Sequence, residues 1–145
     1  MTLNLVKLCV GADSAESLQA WVDYRVEQAR RAGREEVTTH TTRMVPTRRD
    51  DLLDGGSLYW VIKGKIQVRQ HLLDIRPFTD EGGIKRCDLV LEPRLILTRY
   101  QPRRPFQGWR YLKPEDSPMD LPEGRSEEDP LPTELASALA EIGVL

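Results

Sequence analysis

The sequence predicts an α+β fold: a single domain with a curved or barrel-like mixed β-sheet, an N-terminal helix and a short C-terminal helix. Residues 13 to 33 repeat their apolar side chains at helical spacing, whereas several shorter stretches between residues 3 and 112 are rich in β-branched and aromatic residues and bounded by Gly or Pro. At 145 residues, 39% apolar and 30% charged, the chain has the length and composition of one globular domain. A domain of this size buries about two thirds of the surface its unfolded chain exposes, so a core forms without metal or disulfide staples.

In LNLVKLCVG, Val6, Leu8 and Val10 share one face and Leu3, Leu5, Lys7 and Cys9 the other, which reads as a first strand ended by Gly11. Asp13, with Glu16 three residues on, has the spacing of a capping box and starts a helix. Ala15, Leu18, Trp21 or Val22, Val26 and Ala29 form its apolar stripe. Arg30 and Arg31 suit its negative end, and Gly33 supplies the C-terminal cap. In EVTTHTTRMVP neither face is cleanly apolar, which predicts a strand at a sheet edge or lining a cleft. Pro46 ends it, and Thr47 is expected to cap a short helical turn that closes at Gly55 and Gly56.

The stretch Ser57 to Ile75 divides at Gly64, where Lys63-Gly64-Lys65 forms a hairpin turn or a bulge. In its second half Ile66, Val68, Gln70 and Leu72 are expected on the core face, and Lys65, Gln67, Arg69 and His71 on the opposite, polar face. FTDEGGIKR reads as a loop. Asp88 to Glu92 and Arg94 to Gln101 read as two strands interrupted by Pro93, and FQGWRYL as a last one. This α+β body spans residues 1–112. Residues 113–131 hold prolines and acids and few large apolar residues, the composition of an extended, exposed linker. Residues 132–145 read as a C-terminal helix carrying Leu135, Leu139 and Ile142 on one stripe, too short to be stable without docking.

Several function classes are disfavoured. The longest apolar run, Leu58 to Ile62, is far below the roughly 20 residues that cross a bilayer. Lys7 interrupts the apolar segment at the N-terminus, so a secretory signal is not expected and the protein is read as cytoplasmic, with no membrane partner. Cys9 and Cys87 are distant in sequence and lack the paired spacing of metal ligands; no metal and no cofactor is assigned. No phosphate-cradling glycine loop, serine elbow or spaced carboxylate pair is present, so no catalytic residue is assigned and a binding protein is expected over an enzyme.

Charge is unevenly spread. Residues 25–110 contain 18 Lys or Arg against 11 Asp or Glu, and residues 111–145 contain 2 against 9, so a basic body carries an acidic tail. Cations for phosphate and flat rings for bases are interleaved along the body. The candidate nucleic-acid-binding residues are Lys65, Arg69, His71, Arg103, Arg104 and Trp109. Pro102 and Pro105 restrain Arg103 and Arg104, which lowers the entropy lost on binding. The expected partner is RNA or a nucleotide. The alternative is a protein-interaction adaptor, without enzymatic activity, that engages a partner through its acidic tail.

The stretches LVKLCVGADS, GSLYWVIKGKIQVRQ and FQGWRYL resemble a family of short alphaproteobacterial proteins catalogued as domain of unknown function 1489, a resemblance that implies no activity. IKGKIQVRQ followed by CDLVLE is similar to ASCH domains of the PUA-like superfamily, where a Gly and a Lys precede a Glu-x-Arg. Gly64, Lys65 and Arg69 match in type, while Gln67 stands in place of the acid and the spacing from Lys65 is one residue short. That resemblance implies a small mixed-strand barrel with helices at its margin that binds RNA or modified nucleotides.

Overall fold

A computed structural model describes residues 1–122. Its elements run β1 (Asn4–Leu8), α1 (Ala15–Arg31), β2 (Thr38–Thr42), α2 (Arg49–Leu52), β3 (Ser57–Ile62), β4 (Lys65–Thr79), β5 (Lys85–Leu91), β6 (Ile96–Pro102) and β7 (Trp109–Leu112), then a 3₁₀ turn at Pro114–Asp116. The fold is α+β, with the strands in one mixed sheet of order β2-β5-β4-β3-β1-β7 and β6 beside β4. Strands β1 and β3 pair in parallel, and the other ladders are antiparallel. The sheet is not closed: among the described residues no ladder joins β6 to β7.

Helix α1 begins one residue later than the capping-box spacing suggests. Ser14, not Asp13, is the N-cap; its Oγ accepts from the Ser17 amide at 3.0 Å, and the Ser17 Oγ accepts from the Ser14 amide at 3.2 Å. A serine at the third helical position does the work expected of Glu16. Leu18, Val22 and Ala29 are buried, while Trp21 sits at the stripe's margin and is 45% exposed. Thr47 does not cap α2, whose N-cap is Arg48; the Thr47 amide instead donates to the Tyr111 hydroxyl at 3.0 Å.

The β3–β4 connection is a two-residue turn. Lys63 and Gly64 have φ of 51° and 79°, the left-handed pair that matches the twist of a tight hairpin. Strand β4 then runs past the expected loop, through Pro77 and Phe78 to Thr79 opposite Lys85, so the connection shrinks to Asp80–Ile84. There the Asp80 carboxylate accepts from the amides of Gly82 and Ile84 at 2.9 and 3.0 Å. Strands β5 and β6 follow one another along the same edge of β4, interrupted around Pro93. The Glu92 amide donates to His71 O on that edge, while the Leu72 amide donates to Gly56 O on the other. Strand β2 is an edge strand paired to β5, as its mixed faces imply, and it turns Thr38 and Thr42 inward.

The larger core lies between α1 and one sheet face and includes Leu5, Val22, Leu58, Trp60, Val68, Leu72, Ile75 and Leu89. A smaller cluster of Val6, Tyr59, Val61, Ile66 and Leu112 occupies the opposite face. These two faces do not obey simple alternation along β4. Trp60 is opposite Val68 but Val61 is opposite Ile66, which leaves Gln67 as an inserted residue; Leu73 is inserted in the same way opposite β5. Each insertion exchanges inside and outside for the residues beyond it. Ile66 therefore joins the second cluster, and Lys65 lies opposite Ile62 on the helix side. The expected polar face of Lys65, Gln67, Arg69 and His71 is thus divided between the two sides of the sheet.

Residues 113–122, read as the start of an exposed linker, are largely exposed but tied to the body. Asn4 Nδ2 donates to Ser117 Oγ at 3.0 Å, the Arg99 amide donates to Met119 O at 2.8 Å, and the Leu121 amide donates to Leu97 O at 2.9 Å. The rest of the expected linker and the expected helix over 132–145 lie outside the described residues. Among the described residues no helix is long and apolar enough to cross a membrane.

Candidate nucleic-acid interface

Three of the six sequence-predicted residues, Lys65, Arg103 and Arg104, lie at the β3–β4 tip, Lys65 on the helix side of the sheet and Arg103 beside Phe106, which packs on the opposite face. The Arg103 amide donates to Gly64 O at 2.8 Å, and Lys65 stands opposite Pro102 at the end of β6, so the Arg103-Arg104 loop is pinned to the hairpin. Lys63 is exposed on the tip itself. Beyond it, Phe106 is flanked by two guanidiniums, Arg103 at 5.3 Å and Arg110 at 5.2 Å from the ring centroid. The Lys65 ammonium lies 5.1 Å from the centroid of Tyr100. Among the described residues, Lys63, Lys65, Arg103, Arg104 and Arg110 make no ion pair with a carboxylate. Lys65, Arg103 and Arg110 meet rings instead, and Arg110 Nη1 also donates to Gln107 O at 2.9 Å; without a carboxylate their charge is available to an anion.

The other three predicted residues are placed elsewhere. The Arg69 Nε and Nη2 both donate to Asp120 at 2.8 Å, and Nη1 donates to Ser57 Oγ at 2.7 Å. Hydrogen bonding to Asp120 raises the Arg69 pKa, and the same contact holds the Asp120 carboxyl below its ordinary value. This guanidinium is already neutralised. His71 lies opposite Ser57 on the Arg69 side of the sheet, away from Lys65. Trp109 is only 5% exposed and its Nε1 donates to Met44 O at 2.7 Å, so neither face of the indole is open to a base. Lys63, Phe106 and Arg110 take their place at the tip. The signal for Phe106 was its position between the Arg103-Arg104 pair and Arg110; nothing local distinguished it from a core residue.

A second concavity lies on the helix side, between the end of β1, the first half of α1, β2 and Trp60. It encloses about 200 Å³ and is lined among others by Lys7, Cys9, Trp21, His40 and Trp60. Burial, with the nearby Lys7 charge, pushes the His40 pKa down to about 4, and burial raises the Cys9 thiol and lowers Lys7. At neutral pH the imidazole is neutral and the thiol protonated. Among the described residues no three His, Cys, Asp or Glu side chains are grouped so as to hold a metal ion.

The His40 shift sets a stability profile. The unfolded chain takes up a proton as pH falls through about 6.5, whereas the folded chain resists until about 4. Stability should therefore fall across that window and level off below it, by about 2 kcal/mol after allowance for partial exposure. Urea midpoints measured from pH 7 to pH 4 should show this fall in the parent and a flatter profile in His40→Asn. An equal fall in both proteins would assign the pH dependence to other groups.

No curated protein and no solved structure matches the chain, so the similarity to ASCH domains rests on the residue pattern alone. Within that pattern, Lys65 and Arg69 stand on opposite sides of the sheet. A family model described as "Protein of unknown function (DUF1489)" matches residues 5–145, nearly the whole sequence, and the chain belongs to that family.

Proposed function

We propose that this protein binds RNA through the β3–β4 tip, with Lys63, Lys65, Arg103, Arg104 and Arg110 meeting phosphates and Phe106 offering an apolar platform between two of them. The observation that carries this reading is the pinning of the Arg103 loop to Gly64 O, which gathers cations from three separate strand ends without carboxylate partners. Affinity of this kind is mainly electrostatic and falls steeply with salt.

For about four phosphate contacts on a single strand, raising salt from 50 to 200 mM should weaken binding roughly 50-fold. In a filter-binding titration the Lys63→Ala/Arg103→Ala/Arg110→Ala variant should lose about two units of the log–log salt slope. Arg69→Ala should leave that slope unchanged, since Asp120 already occupies the guanidinium. No binding at 50 mM salt, or a triple variant with the parent's slope, would overturn the assignment.

A second reading, an interaction adaptor with an acidic tail, is favoured by the Arg69–Asp120 contact, in which an acid of the tail engages the body. It predicts a protein partner or a second copy, and no salt-dependent RNA affinity in the same titration.

A further inference from the structure

We propose that the concavity between α1 and β2 is a binding site for a small aromatic monocarboxylate, held by Lys7 and walled by His40, Trp21 and Trp60. This goes beyond the RNA reading and shares none of its cationic residues.

Four features point to a ligand. The walls are mainly apolar, and the volume of about 200 Å³ exceeds the roughly 150 Å³ of a cavity that accepts benzene, leaving room for a substituted ring. The polar atoms of the deepest wall are committed. Trp60 Nε1 donates to Gln70 Oε1 at 2.9 Å, and Gln70 Nε2 donates to Glu92 O at 2.9 Å and to Thr38 Oγ1 at 3.3 Å. That wall is rigid and has nothing to offer a polar guest.

His40 differs. Its Nε2 is covered and has no hydrogen-bond partner among the described residues, so the ring meets the cavity through its other atoms. Its ring is held edge-on to Trp60, with centroids 5.3 Å apart and an interplanar angle of 89°. The imidazole is thus oriented before any guest arrives. Lys7, on the same lining, makes no ion pair among the described residues. A half-buried ammonium without a counter-charge, beside a neutral imidazole and two indoles, is complementary to one negative charge on a flat apolar body. A carboxylate would take the Lys7 charge beside the imidazole, with its ring against the indoles. Cys9 stays protonated on the rim and has no part in this scheme.

Benzoate is the direct probe, used with the full-length chain in the absence of RNA. Tryptophan emission should change saturably, with a dissociation constant of about 0.1 mM for a ligand of this size. Benzyl alcohol, which keeps the ring and lacks the charge, should bind about tenfold more weakly. Lys7→Met should remove that tenfold preference while leaving benzyl alcohol affinity unchanged. Trp21→Ala, outside the buried core, should weaken both probes about fivefold. Benzoate binding that saturates and depends on Lys7 supports the site. No saturable change up to 10 mM, equal affinity for the two probes, or a benzoate affinity indifferent to both variants would overturn it. Because RNA is absent, none of these outcomes bears on the β3–β4 tip.

Discussion

Gly56→Ala is expected to destabilise the protein more than a methyl group added at any other described glycine, by at least about 4 kcal/mol, lowering the melting temperature by roughly 15 °C. A Cβ on Gly56 would stand 2.1 Å from Leu3 O and 2.4 Å from Leu52 O, both backbone atoms that cannot swing aside. Three segments meet there. The Gly56 amide donates to Leu52 O at the end of α2, its carbonyl accepts from the Leu72 amide of β4, and the Leu3 amide just before β1 donates to Asp51 O. Making room means breaking at least one of these contacts at the seam between α2 and the sheet. Gly64→Ala is the control: nothing lies within 4 Å, and only the left-handed φ of 79° opposes it, at a cost of about 1–2 kcal/mol. Thermal unfolding followed by circular dichroism compares the two. A Gly56→Ala protein melting within a few degrees of the parent would show that the seam can relax.

The second large effect is expected at Gln70, a polar side chain only 1% exposed inside the sheet. Gln70→Leu keeps similar bulk but leaves Trp60 Nε1 without an acceptor and Glu92 O without its side-chain donor, for a loss of about 2–4 kcal/mol. The diagnostic measurement is a double-mutant cycle in urea. With Trp60→Phe the stranded donor disappears, so the double variant should be more stable than the sum of the single losses predicts, by about 1 kcal/mol. Strict additivity would mean that the Trp60–Gln70 hydrogen bond contributes nothing. Because Trp60 and Gln70 also line the helix-side concavity, the double variant should lose saturable benzoate quenching as well, through a changed wall rather than a lost charge.

Much of the architecture could be read locally. The stripe of Leu18, Val22 and Ala29, the turn at Lys63-Gly64, the edge character of Thr38–Thr42 and the interruption at Pro93 all depend on spacing or on φ preferences, which neighbouring residues carry. Where local signals were nearly degenerate the reading shifted by a residue, as at Ser14, because serine and aspartate offer similar cap acceptors. Family membership, too, was recognisable in short sequence stretches.

The site was a different matter. Alternation along Lys65–His71 assigns one polar face only if the strand has no insertion, and an inserted residue such as Gln67 exists only relative to a partner strand. Whether Trp109 stacks on a ligand or fills the core depends on Met44, and whether Arg69 is free depends on Asp120, each far away in sequence. His40 among threonines looked unremarkable until β1 and α1 closed over it beside Lys7. The sequence by itself determined most elements of residues 1–112, their order and the contrast between basic body and acidic tail, since those properties are set by residues within a few positions of one another. Only the tertiary structure decided which charges remain unpaired and which rings remain uncovered, because pairing and burial are relations between segments that the chain brings together from a distance.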